Sequence, residues 1–198
     1  MICSKNDSLS VDITVSALKK EEVVIIPTDT VYGFSGIVDI SGKNSLDMVF
    51  KIAGIKGRNS RKPLIHLIAK PEDIFLYSAV PVPEKILENW PGALTVIVPV
   101  KENCPLFYEG PTVAFRCPGD EWLRTVVEKT GAPVYSTSVN RAGLNPLETI
   151  ADIKSEYNGE VSLIVDAGDT PGALPSTIVS LDNGKIKVIR EGSVKLES

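Results

Sequence analysis

Apolar residues fall in short runs separated by stretches of helical period, a pattern that predicts strands alternating with helices packed on a sheet. Val23-Val24-Ile25-Ile26 is the first strand, and Phe34–Val38, Leu64–Ile68, Leu94–Val100, Val113–Arg116, Val134–Ser136, Ser162–Val165 and Ser176–Leu181 read as further ones. Asp182-Asn183-Gly184 carries hairpin-turn chemistry and leads into a last strand, Lys185–Ile189. Leu46, Val49, Phe50 and Ala53 stand at i, i+3, i+4 and i+7, so one helical stripe faces the sheet and the helix ends near Gly54 or Gly57, delivering the chain to Lys56. Trp122, Leu123, Val126 and Val127 mark a second helix between Asp120 and Thr130. Thr149 with Asp152 has capping-box spacing and opens a third through Tyr157. The expected fold is α/β, a twisted mixed sheet flanked by helices, and 198 residues without an internal repeat fit a single domain over 1–198.

Composition narrows the function classes. A net charge of −4 argues against coating nucleic acid through bulk electrostatics, which needs a broad surplus of Lys and Arg, so any such contact must be local. Cys3, Cys104 and Cys117 are widely spaced and form no CxxC pair, which points to neither a disulfide framework nor a zinc site. The N-terminus lacks a signal-peptide pattern and no apolar run approaches the ~18 residues that span a bilayer, so a soluble, cytoplasmic protein with no membrane partner is expected.

Several familiar chemistries drop out. With His66 the one histidine, Ser-His or Cys-His triads and paired-histidine zinc sites would all have to share it, and it lies within an apolar strand where a structural role is the plainer reading. Gly36 to Asn44 has one residue too many for a Walker A loop and lacks its Ser or Thr. No GxGxxG follows a strand and no GxSxG elbow exists. What remains is a set of strand-end groups. Lys56, Arg58, Arg61 and Lys62 crowd four cations into a loop of an acidic chain, either a solvated basic loop or a polyphosphate clamp. Ser136-Thr137-Ser138-Val139-Asn140-Arg141-Ala142-Gly143 follows a predicted strand, as does Pro27-Thr28-Asp29-Thr30-Val31-Tyr32-Gly33; each is either a ligand-facing loop or a plain turn. Arg116 closes an apolar strand and needs a carboxylate, from the protein or from an amino-acid substrate, and Ser176-Thr177 adds two hydroxyls.

In order, PTDTVYG at 27–33, KGR at 56–58 followed by Lys62-Pro63-Leu64, PGALT at 91–95, TVAFRCP at 112–118, SVNRAG at 138–143 and STIV at 176–179 resemble the threonylcarbamoyl-AMP synthase (YrdC-like) family, over about 23–193. The resemblance implies a basic concave ligand surface and an activity that joins L-threonine, bicarbonate and ATP, with Mg2+ accompanying ATP, into threonylcarbamoyl-AMP and pyrophosphate. That product feeds the N6-threonylcarbamoyl modification of tRNA adenosine 37. By the same resemblance Lys56 and Arg58 are the catalytic candidates and hold ATP with Ser138 and Asn140, helped by Lys62 and Arg190, while Thr30, Arg116, Ser136 and Ser176 hold threonine. No protein metal site is implied. tRNA or the threonylcarbamoyl-transferase proteins are the implied macromolecular partners. Many members place a histidine four residues after the KPL proline, where Leu67 stands here. Because strand side chains alternate faces, His66 should point away from that side unless the strand is bulged, and the histidine's substrate role is not carried over. Two other readings remain: an RNA-binding or ribosome-associated module without turnover, and a paralogue acting on another carbamoyl-type substrate.

Overall fold

The computed structural model describes residues 1–41, 46–58, 63–106, 109–182 and 184–196. In chain order the elements are β1 (Ile2–Ser4), α1 (Ser10–Lys19), β2 (Val24–Ile26), β3 (Gly33–Ile37), α2 (Asp47–Ile55), β4 (Ile65–Leu67), α3 (Ile74–Tyr77), α4 (Glu84–Leu87), β5 (Leu94–Pro99), β6 (Thr112–Arg116), α5 (Glu121–Thr130), β7 (Val134–Ser138), α6 (Ile150–Tyr157), β8 (Leu163–Asp166), β9 (Thr177–Asp182) and β10 (Lys185–Arg190). All the strands join one mixed sheet in the order β1-β8-β2-β3-β7-β4-β6-β5-β9-β10. The pairs β1/β8, β8/β2, β4/β6 and β5/β9 are parallel and the others antiparallel.

Period-2 alternation sorts the strand residues onto two faces. Ile25, Phe34, Tyr135, Phe115, Val96 and Val179 point to one, where Val49 and Ile52 of α2 and Ile153 and Tyr157 of α6 complete the larger core. Val24, Ile26, Leu67, Val134, Leu163 and Val165 point to the other, where Leu18 of α1 and Leu123, Val126 and Val127 of α5 cover them. That second cluster stops at β4. Beyond it, Ala114, Ile97, Ile178 and Ser180 stay half-exposed on the same face, so the sheet from β7 to β9 keeps an open floor.

The capping signals act as expected. The Asp120 carboxylate accepts the Leu123 N–H at the start of α5, which ends at Gly131 in the left-handed region with φ 77°. Thr149 Oγ1 accepts the Asp152 N–H at the start of α6. β9 and β10 pair as the predicted hairpin, with Asn183 of its turn outside the described residues. Their register slips once: Val188 faces Val179, yet Arg190 faces Ile178, so Ile189 is a bulge.

Two expectations need correction. The predicted stripe of α2 is turned: Met48, Val49, Ile52 and Ala53 are buried, whereas Phe50 is half-exposed on the solvent side. The strand at Val23–Ile26 is not the first: β1 beside β8 and the helix α1, which packs on α5, precede it.

Candidate functional site

Buried polar residues line the border of the open floor, where an apolar core would be the default: Thr30, Lys56, Thr95, Arg116, Ser136, Asn140 and Ser176. They form two groups.

The first gathers where β7 ends and α2 delivers the chain. Lys56 is only 3% exposed. Its Nζ donates to Asn140 Oδ1 at 3.0 Å and to the Ser138 carbonyl, and sits 5.3 Å from the Phe34 ring centroid. Ser138 Oγ donates to the same Asn140 Oδ1 at 2.6 Å, and Asn140 Nδ2 donates to the carbonyls of Arg141 and Leu144. The Ala142 N–H closes the group on the Lys56 carbonyl at 2.8 Å. KGR and SVN, some eighty residues apart in sequence, are thus one unit. Arg58 follows with its Nε and Nη2 buried and without a hydrogen-bond partner among the described residues, and burial pushes its pKa below the ordinary value. Buried cationic N–H groups left unpaired are costly, so this arrangement favours an anion at Arg58. Lys62 and Arg61 lie outside the described residues.

The second group centres on Arg116, 4% exposed at the end of β6. Its Nη2 donates to Asp29 Oδ1 at 2.6 Å, Nη1 to Thr30 Oγ1 at 2.8 Å and Nε to the Gly92 carbonyl at 3.0 Å. The carboxylate that Arg116 needs is therefore supplied by Asp29, which also accepts the Gly119 N–H. Burial lowers the Arg116 pKa and the Asp29 charge partly offsets this. A guanidinium carries five N–H groups, so two remain for a ligand. Three strands separate β2 from β6, so the loop carrying Asp29 and Thr30 arches across the sheet to reach Arg116.

Ser176 Oγ pairs with Thr95 Oγ1 at 2.8 Å, and its carbonyl accepts from Arg190 Nη2 at 2.8 Å. Arg190 pairs with Ile178, which pairs with Thr95, so it stands on the Arg116 side; the residue is exposed overall, and partial burial of the guanidinium and then the neighbouring Arg116 charge lower its pKa. Ser136 shares the Arg116 face of the sheet two strands away, aligned with Ile65 and Ala114. A Cβ at Gly33 would stand 2.7 Å from Ser136 Oγ, so glycine there leaves that hydroxyl its space.

The structure brings Lys56, Ser138 and Asn140 into contact, and Thr30 with Arg116, sets Ser176 and Arg190 near the latter, and leaves Ser136 on the same sheet face two strands away. Sequence reasoning missed Asp29 and Thr95, although both sit inside the quoted motifs PTDTVYG and PGALT. His66 faces away from this floor: β4 pairs with β6 and β7 without a bulge, and His66 aligns with Phe115 and Tyr135 while Leu67 aligns with Arg116. At 1% exposure it meets Glu109 Oε1 through Nε2 at 2.9 Å, and its Nδ1 has no partner among the described residues. Among the described residues no group of three or more His, Cys, Asp or Glu could hold a metal ion.

The family model for Sua5/YciO/YrdC, described as telomere recombination, matches residues 16–192. The threonylcarbamoyl-AMP synthase of Bacillus subtilis is 35% identical over 191 residues, covering 91% of this chain and 52% of that protein. That of Pyrococcus abyssi is 30% identical over 192 residues, covering 93% and 54%, so the chain spans about half the length of these two relatives. That of Pseudoalteromonas translucida is 28% identical over 188 residues, covering 91% and 98%. Among solved structures, P. abyssi Sua5 complexed with L-threonine superposes with a TM-score of 0.78 at 26% identity, covering 92% of this chain and 54% of that one. E. coli YciO shares the fold, with a TM-score of 0.81 at 22% identity over 97% of this chain and 93% of its own.

Proposed function

Because the chain belongs to the Sua5/YciO/YrdC family, we propose that it is a threonylcarbamoyl-AMP synthase, a nucleotidyl-transferring enzyme that joins L-threonine, bicarbonate and ATP. The observation that carries the proposal is the pairing of two basic, hydroxyl-rich groups on one open sheet floor: Lys56, Ser138 and Asn140 with the unpaired Arg58 on one side, and Arg116 with Thr30 on the other. Names of relatives and the threonine complex of P. abyssi Sua5 support the same substrates.

In this reading the triphosphate lies along Lys56, Arg58 and Asn140 toward Arg190, with Ser138 at its edge and Lys62 as a further cation. Threonine lies at Arg116, whose two remaining N–H groups grip its carboxylate, with Thr30, Ser136 and Ser176 offering hydroxyls. The threonine amine takes up bicarbonate to form a carbamate and water. A carbamate oxygen then forms a bond to the α-phosphorus while the bond to pyrophosphate breaks and pyrophosphate leaves. No protein nucleophile is needed: the residues position both substrates and offset charge. Mg2+ would enter with ATP and offset phosphate charge, in keeping with a nucleotide group of cationic and neutral side chains, Lys56, Arg58, Ser138 and Asn140, that offers it no carboxylate. The product would pass to a threonylcarbamoyl transferase and tRNA. Among the described residues no helix is long and apolar enough to cross a membrane, and we place the reaction in the cytoplasm.

The test is pyrophosphate release from ATP and bicarbonate with L-threonine present, absent or replaced by L-serine. Release that requires threonine and is lost in Arg58→Ala is expected. Threonine-independent release, or an unaffected Arg58→Ala, would overturn the proposal.

A further inference from the structure

Arg141 stands next to Asn140 yet is not free to bind a phosphate. Its Nε donates to Glu156 Oε1 at 2.7 Å, its Nη2 to Glu160 Oε1 at 2.7 Å, and its Nη1 to Glu160 Oε2 at 3.2 Å and to the Ile55 carbonyl. The guanidinium carbon lies 4.8 Å from the Tyr157 ring centroid. Four of its five N–H groups are engaged, and the Glu160 bond above all holds its pKa above the ordinary value. Its charge is thus matched by two carboxylates, leaving little to offer a nucleotide.

What Arg141 does reach is the backbone that carries Lys56. Ile55 is the last residue of α2, and its carbonyl is held by Arg141 while the next carbonyl, that of Lys56, accepts the Ala142 N–H. The fork therefore ties three regions at one point: the end of α2, the loop after β7, and α6 with the turn that follows it, through Glu156 and Glu160 respectively. We propose that Arg141 is a positioning residue that fixes the spacing between Lys56 and Arg58 on one loop and Ser138 and Asn140 on the other. Glu156 and Glu160 act as its anchors. This rests on the reading that those loops hold ATP. A planar fork is required, because an ammonium cannot bond a carbonyl and two carboxylates in these directions at once. Arg141 touches nothing in the Arg116 group, so its influence is confined to the nucleotide half.

The experiment compares Arg141→Gln, Arg141→Lys, Glu160→Gln and the double variant Arg141→Gln/Glu160→Gln with the parent chain, reading the KM for ATP, the KM for threonine and kcat in pyrophosphate release. Equilibrium dialysis with ATP supplies a direct binding readout, and thermal unfolding confirms folding. The ATP KM should rise roughly tenfold in Arg141→Gln, short of the ~100-fold that a displacement of about 1 Å at a reacting group can produce. The threonine KM should stay within about twofold. Arg141→Lys should not rescue, and the double variant should be no worse than Arg141→Gln, because both remove one tie. Equal changes in both KM values, rescue by lysine, or an additive double variant would overturn the inference. Lys56→Ala and Asn140→Ala separate the two levels. If they leave ATP binding intact, the reading of the site fails; if they abolish it while Arg141→Gln does not weaken it, only the positioning role fails.

Discussion

Replacing Arg116 with lysine keeps the charge and removes the fork. In the parent, one side chain bonds Asp29, Thr30 and the Gly92 carbonyl; a lysine ammonium on a differently shaped stem retains at best the Asp29 contact. Thr30 Oγ1 lies 2.9 Å from Thr28 Oγ1 and Gly92 is half-exposed, so neither of the two partners that lose Arg116 is stranded, and Asp29 also accepts from the Gly119 N–H. Two hydrogen bonds from a charged donor, at about 1.5–3 kcal/mol each, then set the stability loss at roughly 3–6 kcal/mol, comparable with the ~3–5 kcal/mol expected when a buried pair loses a member. Threonine loses a two-pronged grip on its carboxylate, where each charge-assisted bond is worth about 1.5–3 kcal/mol. Losing one such bond corresponds to a rise of roughly 10- to 150-fold in threonine KM. Pyrophosphate release measured at saturating ATP and bicarbonate with threonine titrated reads this directly, and the ATP KM should be unchanged. A threonine KM within threefold of the parent, in a variant whose melting temperature has dropped, would refute the assignment and leave Arg116 a structural partner of Asp29.

Gly33→Ala should raise the threonine KM more than the ATP KM, since the new methyl displaces Ser136 Oγ from 2.7 Å away while the serine can swing aside and spare the fold; kinetics paired with a melt separate the two. Leu18→Ala empties a fully buried position under α1 and should destabilise by about 2–5 kcal/mol in a denaturant titration, without altering either KM at permissive temperature. Asp166 is held below its ordinary value of 3.8 by the Lys154 ammonium and then by the Gly168 N–H. A depressed carboxylate stabilises the folded state above its unfolded pKa and loses that contribution as pH falls through the folded one. Lys154→Met should therefore be less stable than the parent at neutral pH by at most about 1 kcal/mol, with the gap closing below pH ~3.8 in acid unfolding curves.

The strands and the paired motifs were legible in the sequence because period-2 alternation and strand-end hydroxyls are local signals. The opposite facing of His66 followed from one residue of offset, and an unbulged β4 realises it. α1 was missed because Val11, Ile13, Thr14 and Val15 are β-branched and the polar Thr14 interrupts the apolar stripe, although its hydroxyl bonds the Ser10 carbonyl inside the helix. α2 was found but turned, since Leu46, Val49, Phe50 and Ala53 and the observed Met48, Val49, Ile52 and Ala53 are both apolar stripes; only the sheet decides between them. Asp29 was invisible as the partner of Arg116 for a different reason. A buried cation demands a carboxylate, but nothing local says which of 25 acidic residues supplies it across three strands.

The bulge at Ile189 acts as a phase shifter for Arg190. Residues opposite one another in a ladder share a face, so Arg190 shares that of Ile178, toward the floor where Thr95 and Arg116 lie. Without the bulge, with Ile189 paired opposite Ile178, Arg190 would stand against Thr177 and its guanidinium would turn to the covered side, its identity unchanged. The basic character of the floor at its β9–β10 end therefore depends on one residue's worth of parity.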